Sequence, residues 1–168
     1  MRSAGLLEDG LGRVSEVVRE VVTGLDADQL AFRPSPRANS IGWLVWHLTR
    51  VQDDHVAEVA GMPQAWTADG WSERFGLPFA DSETGYGHDA AQVEAVRAHG
   101  DLLTGYHDVV HAKSVAFVRG LTDGDLDRIV DERWDPPVSL GVRLISVIDD
   151  GAQHAGQAAY VRGLLTRM

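Results

Sequence analysis

The spacing of apolar residues in the second half of the chain is the feature that most restricts the fold. From Val93 to Leu121, and again from Leu140 to Leu165, apolar residues and a few small or polar ones recur at alternating separations of three and four. This spacing places them along one side of an α-helix and is typical of the seams between helices in a bundle. The two series are Val93, Val96, Gly100, Leu103, His107, Val110, Ser114, Phe117 and Leu121, and Leu140, Leu144, Val147, Gly151, His154, Ala158, Val161 and Leu165. We therefore predict two long helices.

Two more helices are predicted in the first half of the chain. The segment from Leu6 to Thr23 and the segment that begins at Ile41 and ends before Gly61 both carry apolar residues at helical spacing. Asn39 or Ser40 can cap the second of these helices. We find no strand pattern. The prediction is an all-α four-helix bundle, a single domain over residues 1–168, with a long loop at 61–88 between the second and third helices.

The composition limits what the chain can bind. It has no cysteine, which leaves nitrogen and oxygen atoms as the ligands for any metal ion. A net charge of −10 argues against binding to nucleic acid, which requires a basic surface. No segment has the length of a membrane span or the pattern of a signal peptide, so we expect a cytoplasmic protein without a membrane partner.

The middle of the last predicted helix leaves room around one imidazole. Its seam has Leu or Val at both ends but Gly151, His154 and Ala158 in the middle. Asp150 precedes His154 by four residues, so both side chains lie on one helix face and can reach one cation. The alternative is a hydrogen-bonded core histidine beside a solvent-facing aspartate.

Other histidines offer further ligands. His47 lies at the edge of the apolar stripe of the second helix, so its ring should face a neighbouring helix. His55 is eight residues further on, about 12 Å along the axis, so the two cannot bind the same ion. His107 and His111 on the third helix could form a second site, or could be structural, with His107 hydrogen-bonded in the core. We expect His88 and His99 to be exposed.

Two segments resemble the signature helices of the DinB-like (YfiT-like) proteins. They are residues 39–54, NSIGWLVWHLTRVQDD, and residues 148–164, IDDGAQHAGQAAYVRGL. In that family a histidine of the second helix, and a histidine or acidic residue four positions before another histidine in the fourth, bind a divalent metal, often zinc or nickel. The resemblance implies that His47, Asp150 and His154 are the metal ligands here. Many relatives have histidine where this chain has Asp150, and the maleylpyruvate isomerase branch has glutamate.

The resemblance also implies an activity. Relatives include S-transferases and isomerases that use bacillithiol or mycothiol, so we expect a metal-dependent enzyme that activates a low-molecular-weight thiol, or water, toward a small electrophilic substrate. The arginine-rich composition favours mycothiol. The loop at 61–88 is predicted to cover the metal, with Trp71 as an apolar wall and Arg74 binding an anionic group. An equally good interpretation is a loop that packs over the end of the bundle.

Two alternatives use the same residues. The protein could be a metal-binding stress-response or binding module without turnover, a homodimer through an exposed helix face. It could also be a hydrolase that uses metal-bound water and needs no thiol.

Overall fold

The computed structural model of the chain describes residues 2–167, in which four long helices form the bundle. They are α1 (Ser3–Val22), α3 (Ile41–Ala60), α7 (Gly100–Arg119) and α8 (Leu140–Leu165). Short helices lie in the connections: α2 (Ala27–Ala31), α4 (Ala65–Ala68), α5 (Trp71–Phe75) and α6 (Ala90–Ala95). A 3-10 turn over Asp123–Asp127 precedes a two-stranded antiparallel hairpin of β1 (Ile129–Asp131) and β2 (Val138–Ser139). The fold is therefore all-α apart from this hairpin.

The four long helices surround a core that differs between its two ends. Helices α1 and α3 lie diagonally opposite, and each packs against both α7 and α8. Around the first half of α3 the core is rich in aromatic rings, whereas near the start of α1 and α8 it is built from Leu and Val. Within residues 2–167 no helix is both long and apolar enough to cross a membrane. Helix α3 is thus in contact with both helices of the second half of the chain.

Serine caps determine where the two most informative helices begin. The hydroxyl of Ser40 accepts a hydrogen bond from the backbone N–H of Trp43 at 3.1 Å, and that of Ser139 accepts one from Val142 at 3.4 Å. Each bond satisfies a backbone donor that has no partner inside the helix. Of the two predicted caps for the second helix, Ser40 is the one observed, and the caps of α3 and α8 set the register in which these helices present their histidines.

The third predicted helix is broken. The structure has α6 and α7 with an extended stretch at 96–99 between them, where the seam spacing indicated one continuous helix. Val93, Val96 and Leu103 are all buried in the same core cluster, so the spacing continues across the break. At the start of α7 a Cβ on Gly100 would lie 3.0 Å from Val22 of α1, which shows how closely these two helices approach each other. Periodicity alone cannot distinguish a broken helix from a continuous one.

The expectation of no strands is wrong for one short element. Strands β1 and β2 contain three and two residues, too few to show the alternation by which a strand is recognised in a sequence. Asp131 of β1 pairs with Arg143 of α8 at 3.0 Å and with Arg133 at 2.8 Å, and these ion pairs hold the pKa of Asp131 well below its usual range. The hairpin therefore covers the start of α8.

Candidate metal centre

His47 of α3 is held against its helix by an aromatic neighbour. The Trp43 ring, one turn earlier, stacks on the imidazole with centroids 4.6 Å apart and planes 14° from parallel. Only 6% of His47 is exposed. This burial lowers the pKa of His47, because a charged imidazole is poorly solvated there. His47 is therefore neutral near pH 7, as a metal-binding histidine must be.

The end of the long loop determines which nitrogen of His47 is free. The carbonyl oxygen of Thr84 lies 2.6 Å from Nδ1 of His47. A carbonyl can only accept, so Nδ1 carries the proton and Nε2 keeps its lone pair. Gly85 follows with φ +97°, and a Cβ there would lie 2.8 Å from the same Nδ1. The loop can approach the imidazole this closely because residue 85 has no side chain.

His154 of α8 is oriented in the same way. Its Nδ1 lies 3.0 Å from the side-chain oxygen of Gln157, which accepts a hydrogen bond from Nδ1–H and leaves Nε2 to face Asp150. Nε2 is 3.5 Å from Oδ1 of Asp150. Hydrogen bonding to Asp150 raises the pKa of His154, so a proton and a cation would compete for Nε2.

The three predicted ligands converge. The rings of His47 and His154 meet edge to face with centroids 4.8 Å apart. One ligand atom each from His47, Asp150 and His154 lies within 4.8 Å of the other two, and no other group of three potential ligands in residues 2–167 does so. Oδ2 of Asp150 is buried and has no hydrogen-bond partner. A divalent cation would satisfy this oxygen together with the two free Nε2 atoms, so the residues present fit a metal ion.

His88 was expected to be exposed, and that expectation is wrong. Its side chain is 1% exposed and lies among Trp43, Trp46 and Phe79. Nε1–H of Trp43 donates to Nδ1 of His88 at 3.2 Å, and Nε2–H of His88 donates to Glu83 at 2.9 Å. His88 thus anchors the ring that stacks on His47. Since His88 lies in a loop without periodicity, no sequence pattern indicates its burial, and the same holds for the contacts of Thr84 and Gly85.

The other histidines lie apart from this centre. Nδ1 of His55 faces Arg143 at 3.2 Å. His107 is fully buried with Nδ1 against the hydroxyl of Thr49 at 3.1 Å, and its ring stacks on that of His111 with centroids 6.1 Å apart. Within residues 2–167 no carboxylate or further imidazole completes a group of three around this pair. His99 is exposed, as expected.

Trp71 and Arg74, predicted to cover the metal, make their contacts elsewhere. Trp71 is buried against Tyr106, with ring centroids 5.6 Å apart, and against Gly105 of α7. The guanidinium of Arg74 lies over the Trp71 ring, 4.5 Å from its centroid. The part of the loop that contacts His47 is its end, at 84–88.

The fold and the convergent ligands define the class of protein: a DinB-like helical bundle with a candidate metal centre between α3 and α8. The sequence profile of the mycothiol S-transferase family matches residues 6–167, and the chain belongs to that family. A solved structure described as the conserved protein of locus from Enterococcus faecalis is similar over 100% of this chain and 99% of its own, at 28% identity and a TM-score of 0.93. No curated protein matches the chain.

Proposed function

We propose that the protein is a metal-dependent S-transferase that joins a low-molecular-weight thiol of the mycothiol type to a small electrophile. The convergence of one ligand atom each from His47, Asp150 and His154 within 4.8 Å carries the proposal. Membership of the mycothiol S-transferase family supports the choice of a thiol as the nucleophile.

Zinc or nickel is the proposed metal, because both accept two imidazoles and a carboxylate. Three protein ligands leave a position open for a small molecule, which is the arrangement of catalytic rather than structural zinc sites. A divalent ion bound there lowers the pKa of a thiol that reaches it, so that a thiolate is available near neutral pH.

The residues of the chain have distinct tasks in this proposal. His47, Asp150 and His154 hold the ion, and the Thr84 carbonyl and Gln157 side chain keep both Nε2 atoms directed at it. In the reaction the thiol proton passes to solvent, sulfur forms a bond to the electrophilic carbon, and the leaving group departs with the electrons of its former bond. The buried Trp43 ring keeps water from one face of His47.

The first test is metal content and thiol consumption by the purified protein. We expect one zinc or nickel ion per chain and consumption of mycothiol with 1-chloro-2,4-dinitrobenzene, both lost in His154→Ala. His99→Ala is the matched control, since His99 is exposed and makes no side-chain bond at the start of α7. A bound metal without thiol consumption would instead support the binding module, and ester cleavage without thiol would support the hydrolase.

The proposal also includes a homodimer in the cytoplasm. Leu6 of α1 and Val142 and Ile145 of α8 are 61%, 54% and 58% exposed, and the starts of these two helices belong to one packed end of the bundle. Exposed apolar side chains such as these are covered when two copies associate through this end of the bundle. Ile145→Glu should convert a dimer to a monomer in light scattering, and a monomeric wild-type protein would refute this part.

A further inference from the structure

An apolar groove lies directly beside the candidate metal centre. Its volume is about 450 Å³, within the range of about 300–1,000 Å³ that is usual for small-molecule sites. We define the apolar groove by six of its lining residues: Pro34, Ala38, Leu44, Gly156, Tyr160 and Val161. Two amide side chains, Asn39 and Gln157, supply polar groups at its edges.

The groove is adjacent to the metal ligands on both helices. Leu44 precedes His47 by three residues, and Gln157 follows His154 by three, so each is about 4.5 Å along its axis from a ligand. Gln157 also accepts the hydrogen bond that orients His154. The end of the groove formed by Leu44 and Gln157 therefore lies within one helical turn, along each helix axis, of a predicted metal ligand.

One wall of the groove is held in place by an arginine. The connector that contributes Pro34 and Ala38 has no regular secondary structure, but Nε of Arg33 donates to the carbonyl of Ala38 at 2.7 Å and Nη1 donates to that of Ala90 at 3.0 Å. A third bond joins Arg33 to the carbonyl of Pro36. The groove is thus preformed, which reduces the entropy lost when a ligand binds.

The opposite wall combines the exposed ring of Tyr160 with free space beside Gly156. The ring of Tyr160 is available for contact with a ligand, because this residue is 69% exposed. A Cβ on Gly156 would meet nothing within 4 Å, so the glycine leaves free space beside the ring. Leu44 and Val161 form a buried apolar floor. A flat aromatic or other apolar group fits between the floor and Tyr160.

The geometry points to this groove as the binding site for the electrophilic substrate, of which the part that enters the groove is apolar and preferably aromatic. The inference rests on the proposed S-transferase function for the reaction, but binding can be measured without turnover. The two edge amides can hydrogen-bond a nitro, carbonyl or other polar substituent on the electrophile.

The test compares two substitutions of glycine on the same helix. Gly156→Leu fills the groove, whereas Gly163→Leu adds the same side chain seven residues later, also with nothing within 4 Å of its Cβ. The ligand is 1,3-dinitrobenzene, which has the ring but no leaving group, and its binding to the zinc-loaded full chain is followed by quenching of tryptophan fluorescence. We expect Gly156→Leu to weaken binding at least tenfold and Gly163→Leu to leave it within twofold.

Two further measurements test the same groove by binding and by turnover. Tyr160→Ala, at an exposed position that does not threaten folding, should weaken the same binding about fivefold with zinc affinity unchanged. In turnover, Gly156→Leu should raise KM for 1-chloro-2,4-dinitrobenzene about tenfold and leave KM for the thiol and the rate with iodoacetamide, which is small and polar, unchanged.

The outcomes separate this inference from the proposed function. Equal binding of 1,3-dinitrobenzene to the wild type and Gly156→Leu, no binding to either, or equal weakening by Gly163→Leu overturns the groove as the site. Selective loss of binding in Gly156→Leu without any thiol consumption by the wild type supports the groove and refutes the S-transferase.

Discussion

Two histidine pairs in this bundle contain the same side chains and differ in what surrounds them. His47 and His154 come from different helices, each has Nδ1 bonded to an acceptor, and one ligand atom of each lies within 4.8 Å of one from Asp150. His107 and His111 come from one helix and stack on each other, with Nε2 of His107 and Nδ1 of His111 buried and unpartnered. A spacing of four residues therefore brings two imidazoles together but is not by itself enough for a metal site. A third ligand and a fixed tautomer are also needed.

The largest expected effect is a difference in zinc affinity between a variant of the first pair and a variant of the second. His154→Ala should weaken zinc affinity by more than about a thousandfold, because loss of even a hydrogen-bonding partner of a ligand costs about 10–100-fold. His111→Ala, which also removes an imidazole from a helix, should leave the affinity unchanged. Competition with a fluorescent zinc chelator measures both. Equal losses in the two variants would remove the distinction between the pairs.

The second prediction concerns pH and the buried pair. Burial lowers the pKa of His107 to about 4, against 6.5 in the unfolded chain. The unfolded state therefore binds more protons, and stability from this residue is lost as the pH falls from about 6.5 to about 4, by about 3 kcal/mol. His107→Gln should flatten the pH dependence of urea unfolding over that range. An unchanged profile would contradict the assignment of a neutral buried imidazole.

The third prediction tests whether the bond to Gln157 matters for metal binding. Gln157→Ala leaves Nδ1 of His154 without its acceptor and should weaken zinc binding about 10–100-fold. Gln153→Ala is a close control, since Gln153 lies on the same helix and bonds to the exposed Asp149 at 2.8 Å. Calorimetric titration of both variants with zinc measures the two affinities. Similar affinities would show that the tautomer of His154 is not set by this bond.

The smallest expected effect is at His88, which supports the metal centre indirectly. His88→Phe keeps a ring among the aromatic neighbours but removes the acceptor for Trp43, and should reduce stability by about 1 kcal/mol. Zinc affinity should fall less than about tenfold, because His47 keeps its bond to Thr84. Thermal unfolding and zinc titration, with His99→Ala as the control, measure the two effects. A loss as large as that of His154→Ala would make His88 a ligand.

The long helices could be predicted because they depend on local spacing, and the set of three ligands could be predicted because two segments resemble the DinB-like family. The seams of α7 and α8 follow from periodicity, and Asp150 and His154 share a helix face by their separation of four. The distance along α3 shows only that His47 and His55 cannot both bind one ion, and the choice of His47 came from the resemblance to the DinB-like family.

The surroundings of the centre could not be predicted in the same way. Thr84 and Gly85 reach His47 from a loop 37 residues further along the chain, and no local pattern encodes that contact. Because no local pattern encodes the contacts of this loop, the expected positions of His88, at the surface, and of Trp71, over the metal, differ from those in the structure. Long-range packing of irregular segments depends on the whole core rather than on neighbouring residues.

The most direct measurement is the anomalous diffraction of crystals of the zinc-loaded protein at the zinc edge. A single peak bonded to Nε2 of His47, Nε2 of His154 and the carboxylate of Asp150, at about 2.0–2.2 Å from each, is the predicted result. A peak at His107 and His111, or no peak at all in a protein given excess zinc, would contradict the metal centre between α3 and α8.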